Sequence, residues 1–300
     1  MTDGFSAALL DWWRTARRDL PWRDTRDPWA ILVAELMLQQ TQVDRVTGPW
    51  RAFLAAMPDP AACAAAGAAQ VIRRWEGLGY NRRAVHLHAA AVQMVERHDG
   101  RVPDDLASLL ALPGVGPYTA RAVRVFAFER DDAVVDTNVA RILARTSGER
   151  LTASVVQRLA DDLVTPGRGW AHNQAMLDLG ARICRPTPHC LDCPVRAWCR
   201  WELDGRVGQD PARGSAGVSG GQSRFEGSDR QGRGRLVDTL RRRAVEAHEL
   251  AVVCGWSDDA ARAERVAERL VADGLARCDG TTYLLPDVVG DPGPESTSPA

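Results

Sequence analysis

A glycine-rich turn at residues 112–120, with the sequence LPGVGPYTA, constrains this chain more than any other stretch. Two glycines flank Val115 and let the backbone reverse between helices, while Pro117 suits a first helical turn, where its missing amide costs nothing. The free amides of such a turn, together with the helix dipole, can bind phosphate. The turn therefore predicts a helix-hairpin-helix that binds a nucleic-acid backbone through Gly114, Val115 and Gly116. An ordinary helix connection is the alternative.

Two acidic residues stand out in addition to this turn. Asp136 follows the hairpin at the start of a predicted helix over 137–147, where an aspartate caps free amides. Glu35 lies in the middle of an apolar helix predicted over 30–43, with a solvated surface glutamate as the alternative. Its helix ends in amide side chains that suit the reading of base edges, namely Gln39, Gln40 and Gln42.

A second turn brings an aromatic ring and two arginines together. Its residues are Gly77, Leu78, Gly79, Tyr80, Asn81, Arg82 and Arg83. An aromatic side chain can act as a wedge in a DNA duplex, and arginines can contact phosphates. A capped helix start with a solvated face is the alternative for the arginines.

Four cysteines follow the spacing C-x5-C-x2-C-x5-C at Cys184, Cys190, Cys193 and Cys199. Four thiolates so close in sequence can ligate a [4Fe–4S] cluster or a structural zinc ion. Cysteines that pack as small apolar residues would not show such regular spacing. The spacing therefore predicts a metal site.

Charge and composition limit the chemistry of the chain. All 38 basic residues are arginine, so no lysine can form a Schiff base. The net charge of −1 means that binding to nucleic acid must rest on local arginine clusters. The N-terminus has no basic region followed by an apolar one, and we expect a cytoplasmic protein without membrane contact.

The composition changes at residue 203. Residues 203–233 are rich in Gly, Ser, Arg and Gln, which predicts a flexible linker. Residues 234–287 predict helices over 236–249 and 258–272 followed by a hairpin at Asp279-Gly280, which together suggest a small winged-helix-like module. Residues 288–300 are predicted to be disordered.

Together these motifs resemble the helix-hairpin-helix (HhH-GPD) DNA glycosylases and, within them, the adenine DNA glycosylases of the MutY type. The likeness covers about residues 5–202. It implies an all-α fold with a helical barrel at about 21–135, a cluster-bearing lobe from 1–20 and 136–202, and DNA between the lobes. Residues 203–300 do not resemble the nucleotide-hydrolase-like domain that family members commonly carry, so the chain resembles the shorter members. The likeness rests on Leu20-Pro21-Trp22-Arg23, Glu35 with the glutamines that follow it, Gly77 to Tyr80, the hairpin with Tyr118, Asp136-Thr137-Asn138 and the four cysteines.

The resemblance also implies roles for individual residues. Glu35, with a pKa raised by apolar packing, would protonate a flipped adenine, and ionised Asp136 would stabilise the positive charge on the sugar. Tyr118 stands where relatives with lyase activity carry a lysine, and Asn138 would orient Asp136. The implied cofactor is a [4Fe–4S] cluster, with zinc as the weaker alternative. The implied partner of a monomeric enzyme is double-stranded DNA with a mispaired or oxidised base.

Two other functions stay open from the sequence. A thymine or uracil mismatch glycosylase of the same superfamily would share the hairpin, the tyrosine, the aspartate and the cysteines, but Gln39-Gln40-Thr41 favours adenine. A DNA-binding protein without catalytic activity would use the hairpin and the small module, yet it would leave Glu35 in an apolar helix unexplained.

Overall fold

The computed structural model describes residues 2–218 and 224–286, and these are mainly helical. The predicted helical fold is therefore confirmed. The helices are α1 (Thr2–Ala16), α2 (Pro28–Leu38), α3 (Thr47–Ala56), α4 (Pro60–Arg74), α5 (Arg82–Arg97), α6 (Leu106–Leu110), α7 (Pro117–Phe128), α8 (Thr137–Ser147), α9 (Ala153–Leu163), α10 (Gly169–Arg182), α11 (Arg200–Leu203), α12 (Asp229–Leu240), α13 (Leu250–Cys254) and α14 (Ala260–Ala272).

The described residues also contain short 3-10 turns and three short strands, which are β1 (Val245–Glu246), β2 (Arg277–Asp279) and β3 (Thr282–Leu284). They form an antiparallel sheet in the order β1-β3-β2, with Val245 opposite Tyr283 and Cys278 opposite the same tyrosine on the other side. The predicted turn at Asp279-Gly280 joins β2 to β3, and Gly280 has a positive φ of 61°.

The chain divides into two compact units, and the division differs from the predicted lobes. One unit comprises Met1–Ile31, Asp104–Leu110 and Val115–Gly221, and the other comprises Leu32–Pro103, Ala111–Gly114 and Gln222–Ala300. The C-terminal helices and strands thus group with residues 32–103.

The first unit has its core where α1, α8 and α10 pack together around fully buried leucines such as Leu9 and Leu179. A buried ion pair lies at its edge. Asp178 accepts two hydrogen bonds from Arg23, at 2.8 and 2.9 Å, and one from the Trp13 indole at 2.9 Å. Because a buried charge needs a partner, Arg23 in the Leu20-to-Arg23 motif serves the fold.

The second unit packs α3 and α5 against α4, with Phe53 edge-on to Trp75 at 6.4 Å between ring centroids. Helix α4 is interrupted at Gly67, which takes a φ of 77°. The C-terminal module of this unit consists of α12, β1, α13, α14, β2 and β3, and α13 and α14 both pack on α12.

Two sequence predictions for the C-terminal third differ from the structure. The predicted linker at 203–233 is folded over 210–215, where Asp210 pairs with Arg145 at 2.6 Å and the amide of Leu151 donates to Ser215 at 3.0 Å. Helix α12 begins at Asp229, inside the predicted linker. Gly232 in its first turn packs so closely against the ring of Trp256 that a Cβ atom would not fit there.

The helix predicted over 236–249 is also wrong in its second half. Helix α12 ends at Leu240, and Val245 is fully buried in β1 as the partner of Tyr283. Pairing in the sheet therefore overrides the helical pattern of this segment. The predicted disordered segment 288–300 lies outside the described residues.

No single helix in the described ranges is long and apolar enough to cross a membrane. Only Val43–Ala56 and Pro60–Arg74 taken together, across a bend of 110°, reach the required length and composition.

Candidate functional site

Asp136 occupies the N-cap of α8, as the sequence predicts. Its carboxylate accepts hydrogen bonds from the amides of Asn138 and Val139, at 2.8 and 2.7 Å, and from the Asn138 side chain at 2.7 Å. These donors are the free amides that begin a helix, and with the helix dipole they favour a negative charge. The arrangement holds one carboxylate in a fixed orientation.

Opposing influences act on the pKa of Asp136. Burial raises this pKa above its ordinary value, and the hydrogen bonds from Val139 and Asn138, with the charge of Arg141, act in the other direction. The residue is nevertheless partly exposed to solvent. A partly desolvated carboxylate with several fixed donors is suited to stabilise a nearby positive charge.

Asn138 is held in turn by Arg141, one turn further along α8. The Arg141 guanidinium donates to the Asn138 side-chain oxygen at 2.7 Å, to the carbonyl of Gly180 at 2.9 Å and to the carbonyl of Cys184 at 2.7 Å. Gly180 makes the close approach possible, since a Cβ atom there would lie 2.5 Å from the Cβ of Asn138. Asn138 therefore has one orientation, with its amide group towards Asp136.

The hairpin has the predicted local conformation. Gly114 adopts a φ of 77°, Gly116 is the N-cap of α7, and Pro117 lies in the first turn of that helix. A Cβ atom at Gly114 would lie 2.7 Å from His86, so glycine is required there by space as well as by φ. Val115 is 6% exposed, and Tyr118 is half-buried in the first turn of α7.

Glu35 is buried in the middle of α2, with an exposed fraction of 5%. Its helix neighbours Ile31, Leu32 and Leu36 are at most 2% exposed. The alternative of a solvated surface glutamate is therefore wrong. Burial among apolar groups favours the protonated form of a carboxyl group. Glu35 and Asp136 lie in different compact units.

The predicted phosphate contact of Arg83 is also wrong. Arg83 is 6% exposed, and its guanidinium donates to the carbonyls of Leu36, Met37 and Gln39 at 2.6 to 2.8 Å. Further hydrogen bonds reach Thr41 at 2.9 Å and the carbonyls of Leu78, Gly79 and Tyr80 at 2.9 to 3.2 Å. Arg83 joins the end of α2 to the 77–82 turn.

The rest of the 77–82 turn is more open. Gly77, Gly79 and Tyr80 have φ values of 80°, 70° and 44°, and Leu78 is buried. Tyr80 is 42% exposed, and Arg82 is exposed with Asp273 at 3.5 Å. These two side chains therefore remain candidates for contact with DNA.

The glutamines lie beyond the end of α2, where Gln40 takes a φ of 54°. The Gln39 amide donates to the carbonyl of Gly114 at 3.4 Å, and Gln40 and Gln42 are exposed. Gln42 precedes the short helical turn Val43–Arg45. The sequence predicts a continuous helix through this segment, and the left-handed residue Gln40 interrupts it.

The four predicted metal ligands line one cavity in the first unit, and none of them forms a disulfide. Burial, with the neighbouring Glu202, raises the pKa of Cys190 to about 11, and burial with the neighbouring sulfur atoms raises that of Cys193 to about 12. Within residues 2–218 and 224–286, no three His, Cys, Asp or Glu side chains converge on the position of a single ion. The four thiols therefore share the lining of one cavity.

Two buried arginines at this site were not predicted from the sequence. Arg141 donates to the carbonyl of Cys184. Arg145 donates to the Cys184 sulfur at 3.4 Å and to the carbonyl of Arg185 at 2.7 Å. Both lie on the buried face of α8, four residues apart. The sequence does contain a signal for them, because two arginines on an otherwise apolar helix face indicate buried charges with specific partners.

The chain is similar in sequence to a known protein family and to several of its members. The sequence matches the family described as HhH-GPD superfamily base excision DNA repair protein over residues 33–166. It is 43% identical over 277 residues to the adenine DNA glycosylase of Mycobacterium tuberculosis (strain ATCC 25618 / H37Rv), covering 89% of this chain and 88% of that protein. Identity to the human adenine DNA glycosylase is 38%, covering 72% of this chain and 42% of the human protein.

Two solved structures are also similar. A thermostable thymine-DNA glycosylase has a TM-score of 0.63 and 31% identity, covering 68% of this chain and 97% of its own. Endonuclease III in a non-covalent DNA complex has a TM-score of 0.58 at 23% identity, covering 67% of this chain and 94% of its own, which is a likeness of fold.

Proposed function

We propose a catalytic mechanism for this chain, which belongs to the adenine DNA glycosylases of the HhH-GPD superfamily. It is therefore a base-excision repair enzyme that binds DNA and hydrolyses the N-glycosyl bond of adenine. The geometry that carries our assignment of the mechanism is the carboxylate of Asp136, held by three hydrogen bonds at the start of α8.

Glu35 is assigned as the general acid. Its burial among apolar side chains favours the protonated form, and a flipped adenine can take that proton at a ring nitrogen. The bond between C1′ of the sugar and N9 of the base then breaks, and its electron pair leaves with neutral adenine. The Glu35 carboxylate that remains can accept a proton from water.

Asp136 is assigned to the positive charge that develops on the sugar. Its carboxylate stabilises the oxocarbenium ion or bonds transiently to C1′. Water then adds at C1′, its proton goes to Glu35, and the products are free adenine and an abasic site. Asn138 acts as a positioning residue for Asp136.

We infer that the abasic strand stays intact. Strand cleavage by β-elimination needs an amine that forms a Schiff base with the opened sugar, and this sequence contains no lysine. Tyr118, in the first turn of α7, would hydrogen-bond near the sugar and cannot form that adduct.

Proteins of this family typically carry an iron–sulfur cluster, and we infer that Cys184, Cys190, Cys193 and Cys199 would hold a [4Fe–4S] cluster. The four cysteines line one shared cavity, which supports a single group bound by all four thiolates. When bound, the cluster would crosslink the cysteine loop.

The proposed substrate is adenine opposite guanine or 8-oxoguanine, bound by a monomer. Gln40, Gln42 and Tyr80 are exposed and could contact the opposing base. Thymine opposite guanine is the second candidate substrate, because the thymine-DNA glycosylase with 31% identity aligns over nearly its whole length.

The experiment is a single-turnover assay with adenine, thymine or uracil opposite guanine or 8-oxoguanine. We expect adenine release by the wild type and a loss of at least about a hundredfold in Glu35→Gln, with DNA affinity retained. Glu96→Gln, on the exposed face of α5, is the matched control and should keep the wild-type rate. Near wild-type release by Glu35→Gln would remove Glu35 from the mechanism, and release of thymine alone would select the second candidate.

A further inference from the structure

A cleft of about 1030 Å³ lies within the second unit, between segments far apart in sequence. One wall contains Gln39, Gln40 and the 77–82 turn, and the other contains Phe225, α12 and α14. Six arginines line the cleft against two aspartates, so positive charge is in excess even without the buried Arg83. These charged residues are Arg45, Arg82, Arg83, Arg230, Arg233, Arg269, Asp229 and Asp273.

The C-terminal module is fastened to the turn by a buried arginine. Arg241, at the end of α12, has a side chain only 4% exposed. Its guanidinium donates to the carbonyl of Ile72 at 3.0 Å and to the side-chain oxygen of Asn81 at 2.8 Å. Since Asn81 lies in the turn itself, Arg241 sets the position of one wall of the cleft relative to the other.

The lining of the cleft favours an extended anion over a small apolar ligand. Pockets for drug-sized ligands reach about 1,000 Å³, so this cleft is at the upper limit of that range, and several guanidinium groups line it. The aromatic residues Tyr80 and Phe225 are 42% and 57% exposed. Arginines beside exposed aromatic rings are suited to bind phosphates and to stack on bases along one nucleic-acid strand.

We propose that residues 224–286 complete a cleft for the sugar–phosphate backbone of the DNA strand opposite the target adenine, and that Arg241 is its positioning residue. The choice of strand rests on the proposed function, in which Glu35 receives the adenine. Gln39 and Gln40, beyond the end of the same helix, line the cleft, and Glu35 is not among the described residues that do so. Gln40 and Tyr80, which we propose to contact the opposing base, also line the cleft, so the strand there is assigned as the one without the adenine.

The first experiment measures binding of the full chain to an A·8-oxoguanine duplex that carries a 2′-fluoro adenine nucleotide and cannot be hydrolysed. Arg269→Ala removes a charge from the cleft, and Arg265→Ala removes one from an exposed position of α14 that does not line it. We expect Arg269→Ala to lower the slope of log affinity against log salt by about 1. Arg265→Ala should leave that slope unchanged.

Single methylphosphonates then locate the strand. One neutral linkage at a time is placed in either strand, and the loss of affinity is compared between wild type and Arg269→Ala. We expect a position in the opposing strand at which the neutral linkage weakens wild type but not the variant. Coupling confined to the adenine strand, or no coupling at any position in either strand, would overturn the proposal.

The second experiment tests Arg241 from both sides of its hydrogen bond. Arg241→Ala and Asn81→Ala should each raise the Kd by about tenfold, equivalent to about 1.4 kcal/mol, and the double variant should be no worse than Arg241→Ala. The single-turnover rate at saturating enzyme should not change. Asn81→Ala leaves the module's buried arginine in place, so it gives a result even if Arg241→Ala does not fold.

Two results would remove Arg241 from this role. One is a Kd equal to wild type in folded Asn81→Ala, and the other is a fall in the rate at saturation in both variants. Because Kd is measured without base excision, a wild type that releases no adenine would refute the catalytic mechanism and leave these binding results interpretable.

Discussion

Replacing Arg83 with methionine tests whether this residue serves the fold or the DNA. Methionine keeps an unbranched apolar stem and removes the guanidinium. In the structure that group donates to carbonyls at the end of α2, including Leu36 and Met37, and to carbonyls of the turn, including Leu78 and Gly79. It also lies over the ring of Trp75, 5.4 Å from the centroid.

The expected loss of stability is large because these acceptors are buried. Burial lowers the pKa of Arg83 to about 10, so the group is still charged near neutral pH. Removing one partner of a buried charged network costs about 3–5 kcal/mol, and each kcal/mol lowers Tm by roughly 2–4 °C in a domain of this size. We therefore expect the Tm of Arg83→Met to fall by about 10 °C, measured by differential scanning calorimetry.

Arg82→Met is the matched control, since it is adjacent, exposed and paired only at 3.5 Å with Asp273. Its free energy of unfolding should change by less than about 0.5 kcal/mol, and its DNA affinity should fall with a lower salt slope. If Arg83→Met instead keeps the wild-type Tm and lowers the salt slope by about 1, Arg83 is a phosphate ligand and its structural role is refuted.

Three further predictions concern the site. The rate of excision should fall as the pH is lowered through the pKa of Asp136, because the carboxylate then becomes protonated. A hydrogen bond from Asn138 favours the ionised form, so Asn138→Ala should raise this pKa and move the fall in rate to higher pH. A shift of the fall to lower pH would contradict this role of Asn138. Protein prepared without oxygen should be yellow-brown, and Cys190→Ser should lose colour and DNA affinity or stability before it loses chemistry; a colourless wild type with stoichiometric zinc would overturn the cluster. Borohydride should trap no stable protein–DNA adduct, and efficient trapping would require the N-terminal amine.

The local features of the site could be predicted from the sequence because each depends on short-range chemistry. An aspartate before an amphipathic helix caps it, and Asp136 does so with two backbone amides. A glycine flanked by a tight turn takes a positive φ, as Gly114 does. Glu35 has apolar neighbours on both sides in α2, so the burial of this apolar helix also buries Glu35.

Long-range partners could not be predicted in the same way. Arg82 and Arg83 are identical in type and adjacent in sequence, yet successive residues of a helix point in different directions. One therefore faces solvent, and the other faces the end of α2. The linker predicted over 203–233 is wrong around Gly232 for a related reason. A glycine-rich composition indicates a linker, but only the position of Trp256 shows that α12 requires a glycine at this point.

Helix α8 connects the two chemical features of the first unit. Its N-cap holds Asp136, and Arg141 and Arg145 on its buried face bind the loop that begins at Cys184. Arg141 makes both connections with one guanidinium, because the nitrogen that donates to Asn138 lies on the same rigid group as the nitrogen that donates to the Cys184 carbonyl. A shift of the cysteine loop must therefore move Arg141 or break one of its bonds, and either event loosens Asn138. The orientation of the Asp136 carboxylate thus depends on the integrity of a loop that lies some fifty residues further along the chain.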